Sequence, residues 1–124
     1  MNNNFPSDEY LYRAINPANG FWKPDGSLSS AALKDRDGLS VDRGNFRQDD
    51  EVADDMKKRL KGSIVKFSVE NCREENARVQ YDPMDEDVYH SLVLGTEKNV
   101  LSKGQARRLC GKIIIVYKEP ETAV

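Results

Sequence analysis

The guanidinium of Arg13 is the first group in the chain that could do chemistry, because its position predicts burial. Residues 10–15, YLYRAI, are typical of a strand, and alternation places Arg13 on the same face as Leu11 and Ile15. A buried guanidinium needs a carboxylate, a phosphate or several carbonyl oxygens as partners. Arg13 is therefore either a catalytic-site anchor for an anion such as a nucleotide phosphate, or an internal residue that pairs with an acid of the same chain.

His90 is the second catalytic candidate and the only histidine among 124 residues. Imidazole is the side chain that exchanges protons near neutral pH without help from its surroundings. The sequence VYHSLVL, residues 88–94, predicts a strand in which His90 shares a face with Leu92 and Leu94. His90 is therefore either a catalytic acid or base, or a core residue whose hydrogen bonds are made within the chain.

Residues 27–43, SLSSAALKDRDGLSVDR, form a mixed polar segment with no helix or strand period. A long and specific segment of this kind is more often a shaped surface than a filler loop, and an aromatic residue lies in the loop before it. The alternative is that its serines and aspartates satisfy local turns. The candidate binding residues of this region are Trp22, Ser29, Ser30, Lys34, Asp35, Ser40, Asp42 and Arg43.

Composition and charge exclude several classes of protein. A net charge of -2 and a pI near 5.5 do not favour binding to nucleic acid or to an anionic membrane surface. The longest apolar run, residues 113–117, is far too short to span a bilayer. Cys72 and Cys110 lie in no metal-binding spacing, so we expect no metal or other cofactor. Free thiols without an export signal predict a cytoplasmic protein.

No nucleophile elbow, phosphate-binding loop or dinucleotide fingerprint is present in the sequence. Basic residues cluster at the ends of two predicted helices, where the helix dipole explains them. An acidic bend lacks calcium-loop spacing and is expected to be solvated; it contains Asp82, Asp85, Glu86 and Asp87.

The predicted fold is α+β, a single small domain of residues 10–118 in which a mixed sheet of about five strands packs against two helices. A tail of residues 1–9 is predicted to be disordered, and residues 119–124 form a C-terminal tail. The best-defined helix covers residues 49–61, where Val52, Met56 and Leu60 make an apolar stripe before Gly62. A second helix follows Ser102 and runs to residue 110, whereas residues 70–76 are a polar connector. The apolar strand 113–117 is expected to be central and covered on both faces.

Three segments together resemble a group of small bacterial proteins with no established activity. They are YLYRAI, the run WKPDGSLSSAALKDRDGLSVDR at residues 22–43, and VYHSLV from residue 88. The resemblance implies that Arg13, the segment 27–43 and His90 belong to one site.

A second resemblance is to ADP-ribosyltransferase-type folds, which place an Arg or His on the first strand, a Ser on a later strand and a Glu near the end. It implies that Arg13 and either Ser29 or Ser30 are the first two of these residues. The third has no evident match in this sequence, with Glu86 as the nearest suggestion.

Two main functional hypotheses follow, beside a third, a nucleic-acid-binding module that uses the two basic helix ends. We expect a small accessory or binding protein that acts through a protein partner, with Trp22 and the segment 27–43 as its contact surface. The alternative is a nucleotide-handling enzyme in which Arg13 anchors phosphate, Ser29 or Ser30 positions the sugar and His90 moves a proton. The enzyme hypothesis requires Arg13 and His90 to lie on the same face of the sheet.

Overall fold

Six strands form one antiparallel sheet in the computed structural model, which describes residues 1–120. The strands are β1 (Tyr10–Ile15), β2 (Leu39–Arg43), β3 (Ser63–Ser68), β4 (Arg78–Tyr81), β5 (His90–Leu94) and β6 (Ile114–Tyr117), in the spatial order β4-β5-β2-β1-β3-β6. The helices are α1 (Asp49–Lys57), α2 (Val69–Glu74) and α3 (Lys103–Cys110). Across the described residues, no helix has both the length and the apolar character needed to cross a membrane.

The α+β class predicted from the sequence is confirmed, with differences in detail. The sheet has six strands rather than about five, its neighbouring strands are antiparallel rather than mixed, and three α-helices rather than two pack on it. The antiparallel order follows from where the helical connections lead. Helix α1 carries the chain from β2 to β3, and β1 lies between these two strands, so they never become neighbours.

Different helices cover the two faces of the sheet. On one face, α1 packs Val52, Ala53 and Met56 against Tyr12 of β1 and Ile64 of β3. On the other face, the sheet packs against α2, α3 and the 3-10 turn Ser30–Leu33 in a larger apolar cluster that includes Leu11, Leu33, Val41, Phe67, Cys72, Val93 and Leu109. We call these the α1 face and the α3 face. The sheet is thus the middle of three layers, and its strands have apolar partners on both sides.

Helix α1 begins where the sequence predicts and ends at Lys57 rather than at residue 61. Gly62 explains the early end, since it has a φ of +108° and a Cβ there would lie 1.9 Å from the carbonyl oxygen of Ile15. The chain must leave the helix before this close approach in order to enter β3 beside β1. Leu60, predicted to continue the buried stripe, is exposed as a result.

Helix α2 occupies residues that the sequence predicted to be a polar connector. The Oγ atom of Ser68 accepts a hydrogen bond from the backbone N–H of Asn71 at 3.0 Å, and the Asn71 side chain accepts one from the Ser68 N–H at 2.9 Å. Val69 and Cys72 then face the core. Burial raises the pKa of the Cys72 thiol to about 12, so this cysteine is unreactive at neutral pH.

Strand β6 lies at an edge of the sheet, whereas its continuous apolar sequence predicted a central position. Within residues 1–120 it pairs with β3 alone, and Ile114 and Ile115 are 48% and 47% exposed. Val116 and Tyr117 pack on the α1 face, and Ile113 packs on the α3 face. The apolar run therefore has partners on both faces without a further strand beside it.

The N-terminal segment is docked on the domain, although residues 1–9 were predicted to be a disordered tail. Phe5 and Glu9 are buried. The Arg43 guanidinium donates to the carbonyl oxygens of Asn2 at 2.6 Å and Asn4 at 3.3 Å, and it lies 3.9 Å from the centre of the Phe5 ring. Its Nε and Nη2 atoms donate to the two carboxylate oxygens of Glu9, each at 2.8 Å. Of the predicted C-terminal tail, residues 121–124 lie outside the described part of the structure.

Arg43→Ala is expected to lower the free energy of unfolding by about 3–5 kcal/mol, because it leaves the buried Glu9 carboxylate without its partner. Urea unfolding measures the change. Arg36→Ala is the matched control, since the Arg36 side chain is 92% exposed, and it should change the free energy by less than about 0.5 kcal/mol. Equal, small effects of the two substitutions would show that the Arg43–Glu9 pair does not hold the N-terminal segment.

Candidate functional site

A cleft of about 520 Å³ opens on the α1 face where β1 and β2 separate. The β1–β2 ladder contains only the pairs Leu11↔Arg43 and Tyr12↔Asp42, whereas β1 stays paired with β3 as far as Ile15. The next pairs along β1 and β2 would be Arg13 with Val41 and Ala14 with Ser40, and all four residues line the cleft instead. The remaining lining residues come from β1, β2, α1 and the segment after it, the β4–β5 connection and the start of β5. They include Tyr12, Asp42, Met56, Arg59, Leu60, Lys61, Met84, Glu86, Asp87 and His90.

Arg59, just beyond the end of α1, joins carboxylates from three parts of the fold. Its Nη2 atom donates to Asp42 of β2 at 2.8 Å and to Asp55 of α1 at 3.2 Å, and its Nη1 atom donates to Asp87 at 3.3 Å. The Asp42 and Asp87 side chains are only 4% and 6% exposed. Buried carboxylates require such a partner, so Arg59 makes it possible for both acids to lie under the cleft.

The carboxylates of this cluster outnumber the guanidiniums. Asp55 also lies 3.6 Å from Arg47, so three acids, Asp42, Asp55 and Asp87, share the two positive charges of Arg47 and Arg59. A proton supplies the missing positive charge most easily at the most buried acid. The cluster is therefore balanced when one carboxyl group is protonated.

Burial, the largest cause, and the hydrogen bond with the neighbouring Asp87 carboxyl, the second, together raise the pKa of Asp42 to about 7 against the opposing effect of Arg59. Asp87 is held in place from its other side, because its Oδ1 atom accepts the backbone N–H of Tyr89 at 3.1 Å. Asp42 and Asp87 thus form a buried carboxyl pair in which Asp42 titrates near neutral pH. Such a pair can donate a proton to a bound molecule and recover it afterwards.

His90 lies directly opposite Asp42 in the β2–β5 ladder and lines the same cleft. Its Nδ1 atom is 2.9 Å from the carbonyl oxygen of Asp82 and 3.2 Å from the carboxylate of the same residue. Both groups accept hydrogen bonds, so Nδ1 holds the proton and Nε2 is the basic nitrogen of the neutral ring. Within the described residues Nε2 has no hydrogen-bond partner, which leaves it available to a ligand.

Arg13 lies on the α3 face, on the opposite side of the sheet from His90, although both residues border the cleft. Its guanidinium fills the gap where β1 and β2 separate. Nε donates to the Ala32 carbonyl at 3.2 Å, Nη1 to the Ser40 carbonyl at 3.0 Å, and Nη2 to the Asp35 carboxylate at 2.9 Å. These partners belong to the chain itself, so the site in which Arg13 and His90 act together has no support in the geometry.

Of the remaining polar candidates on β2 and the turn before it, three are engaged in ion pairs within the chain and one is exposed. Asp35 is engaged by Arg13, and Asp42 belongs to the Arg59 cluster. Arg43 is buried against Glu9, so its guanidinium is part of the folded interior and not of an exposed contact surface. Lys34 remains exposed.

Trp22, Ser29 and Ser30 lie away from the cleft. Trp22 packs against the cluster that contains Ile15 and Leu28, and the Lys118 ammonium lies 3.2 Å from the centre of its ring. This placement agrees with an aromatic residue that pins its loop. The Ser29 hydroxyl accepts the Ala31 N–H at 3.3 Å and caps the 3-10 turn that contains Ser30. The strand serine beside Arg13 is therefore Ser40, and not the serines that the resemblance to ADP-ribosyltransferase-type folds suggested.

Sequence analysis missed Arg59, Asp82 and Asp87 as site residues. Arg59 was assigned to a basic helix end, and the two aspartates to a solvated acidic bend. One signal does point to them. Asp42 follows Val41 inside a predicted strand, and a carboxylate at such a position needs a cationic partner from elsewhere in the chain.

Comparison with known protein families, with curated proteins and with solved structures finds no match. The resemblances to a group of small bacterial proteins and to ADP-ribosyltransferase-type folds therefore stay predictions.

Asp42→Asn is expected to remove a pH dependence of stability. The unfolded chain releases the Asp42 proton near its ordinary pKa of about 3.9, and the folded chain releases it near 7, so the free energy of unfolding falls as pH rises between these values. The loss is at most about 4 kcal/mol. Urea unfolding at about pH 5 and about pH 8 measures it as the difference between the wild type and Asp42→Asn.

Asp37→Asn is the matched control, because the Asp37 side chain is 89% exposed, and it should keep the wild-type slope. A carboxyl ¹³C titration of the wild type should in addition show a midpoint near pH 7 that is absent from Asp42→Asn. Identical slopes for the wild type and Asp42→Asn would contradict a shared proton at this site.

Proposed function

We propose that the protein is an acid–base enzyme that binds a small organic molecule of about nucleoside size in the β1–β2 cleft. The observation behind this proposal is the buried Asp42–Asp87 carboxyl pair, which lines the same cleft as His90 and in which the pKa of Asp42 is raised to about 7. A perturbed acid, a second proton-exchanging group and a concave surface together are typical of catalytic sites.

The lining of the cleft fits an organic ligand. Apolar surface comes from Tyr12, Ala14, Met56, Leu60 and Met84. Polar groups are contributed by the carboxyl pair with Arg59 and by His90, among others. Pockets of roughly 300–1,000 Å³ with this mixture of apolar walls and a few fixed polar groups are typical small-molecule sites.

The two proton-exchanging groups differ in ways that suit opposite roles. Because its pKa is raised to about 7, Asp42 can carry a proton at neutral pH and is placed to donate it, after which Arg59 stabilises the carboxylate that remains. His90 has its Nδ1 atom fixed by Asp82 and its Nε2 atom available to accept a proton. A ligand between them would gain a proton from Asp42 and lose one to His90, which leaves the net charge of the protein unchanged; His90 then releases its proton to solvent and Asp42 takes one up before the next turnover.

Charge restricts which part of a ligand reaches Asp42. The guanidiniums of the Arg59 cluster are already paired with its three acids, and Glu86 adds a further carboxylate to the lining, so this part of the cleft offers no free cation to an anion. The ligand group at the floor is therefore neutral or cationic. A phosphate, as the nucleotide hypothesis requires, has to lie at the mouth beside Lys61 rather than on Arg13.

The test is a binding and turnover screen with nucleosides, nucleotides and aromatic amines as probes. Bound probes should shift the backbone amide NMR signals of Ala14, Ser40 and His90. Asp42→Asn and His90→Gln should keep binding within about tenfold and lower turnover by about 10²-fold or more, because each removes a proton-transfer group while the cleft is preserved.

Asp37→Asn serves as the control for that screen and should leave both binding and turnover unchanged, since Asp37 is exposed and does not line the cleft. Probes that bind only outside the cleft would overturn the proposal. Full turnover by Asp42→Asn would do the same.

A protein partner that contacts the segment 27–43 is the second candidate function. One observation favours it. The turn at Arg36 and Asp37 is exposed, and it is braced from beneath by the Arg13–Asp35 ion pair and closed by Gly38, which has a φ of +107°. We call the exposed turn at Arg36 and Asp37 the tip. A charged turn whose base is fixed by an ion pair suits recognition of a partner, because little conformational entropy is lost on binding.

Lys34→Glu combined with Arg36→Glu is expected to abolish binding of a partner that uses this tip, because both exposed positive charges are reversed. Quantitative co-purification from the native host, compared with the wild type and with Asp42→Asn, measures the loss. A stoichiometric partner retained equally by all three proteins would place the contact surface elsewhere.

A further inference from the structure

The two edges of the sheet differ in how their backbone groups are protected. At the β4 edge, the backbone N–H of Tyr81 donates to the side chain of Asn3 at 2.7 Å. The docked N-terminal segment therefore blocks this edge at Tyr81. Blocking of this kind is how natural sheets avoid pairing with other chains.

The β6 edge has no comparable protection among residues 1–120. The strand pairs with β3 on one side, and no described strand or segment forms backbone hydrogen bonds along its other side. The run of residues 113–117 contains neither a charge nor a proline, and Ile114 and Ile115 are about half exposed. An apolar strand with unpaired backbone groups is a template for another strand.

The charged residues that flank β6 already have partners within the chain. The Lys112 ammonium lies 3.3 Å from Glu75 and 3.6 Å from Glu74, and the Lys118 ammonium lies over the Trp22 ring. Lysines that project freely from the two ends would repel a second copy of the same strand. Because these lysines are engaged elsewhere, the strand itself is the part of this edge that an approaching molecule meets.

We propose that β6 pairs with β6 of a second copy of this chain, antiparallel and about a two-fold axis, so that the two sheets become continuous. A second copy is the occupant that fits, because antiparallel pairing brings Ile114 and Ile115 of both chains together and buries them. The blocked β4 edge prevents further addition, so the assembly closes as a dimer and does not grow into a fibre.

The short strand sets the strength of this association. A four-residue strand pair with its flanking side chains covers less than the roughly 800 Å² per partner of a standard stable interface. The dimer is therefore weak and depends on concentration. The cleft is bordered by β1, β2 and the residues around β5, with β3 between it and β6, so dimerisation leaves it open.

Sedimentation velocity of the full chain, from about 1 µM to about 500 µM, tests the proposal. The wild type should shift from monomer to dimer within this range. Ile115→Lys should remain monomeric throughout, because it buries a charge in the pairing region, and circular dichroism should show that it stays folded. Val88→Lys is the control, since Val88 is also an exposed apolar residue but lies in the β4–β5 connection, and it should dimerise like the wild type.

Amide hydrogen exchange identifies the surface independently of any substitution. Amides of residues 114–117 that point away from β3 should become protected as the concentration rises, while the amides of β4 should not change. A wild type that is monomeric at every concentration would overturn the proposal. So would a dimer that Val88→Lys disrupts and Ile115→Lys leaves intact, or an assembly that grows beyond two copies.

Discussion

The unequal pairing of β1 is the constraint on which the rest of the structure depends. Six residues of β1 pair with β3, but only Leu11 and Tyr12 pair with β2. The sheet is therefore continuous at one end of β1 and open at the other. Two features follow from this opening. Arg13 fills it from the α3 face with bonds to the chain's own carbonyl and carboxylate groups, and the cleft forms on the α1 face above it.

The early end of α1 belongs to the same arrangement. The close approach of Gly62 to Ile15 ends the helix, and the turn that follows places Arg59 over β2 instead of on the helix surface. Asp42 belongs to the β1–β2 pair next to the opening, and the Arg59 guanidinium is within hydrogen-bonding distance of its carboxylate. The same guanidinium also binds Asp87 of the β4–β5 connection. Because the ion network also ties α1 to the sheet, the groups that hold the proton help to hold the fold. Their substitution must be judged by stability and function together.

The sequence predicts the features that depend on near neighbours and misses those that depend on distant ones. The start of α1 and the Ser102 cap of α3 follow from local periodicity and capping, and both are present. Burial of Phe5 depends on Arg43, 38 positions away in the printed sequence, so no local pattern in the N-terminal segment announces it. The edge position of β6 depends on strand order, which an apolar run does not encode. Asp87 appeared solvated for the same reason, because its partner Arg59 comes from a different element.

Three arginines of this fold differ in how well their charge is matched by the acids around them. Arg43 meets one carboxylate, that of Glu9, and Arg13 meets one, that of Asp35; their other donors reach carbonyl oxygens, so each set is neutral without a proton. Arg59 meets three carboxylates, and Arg47 offsets only one of them. A cluster that existed only to join elements would be more stable with its charges matched, since an unmatched buried carboxylate costs free energy. The surplus acid at Arg59 is balanced by a proton on Asp42 near neutral pH, and it lies where the sheet opens to a ligand-sized cleft. The unmatched charge of the Arg59 cluster lies at the place where the sheet opens. In this respect the cluster differs from the Arg43–Glu9 and Arg13–Asp35 ion pairs, whose charges are matched.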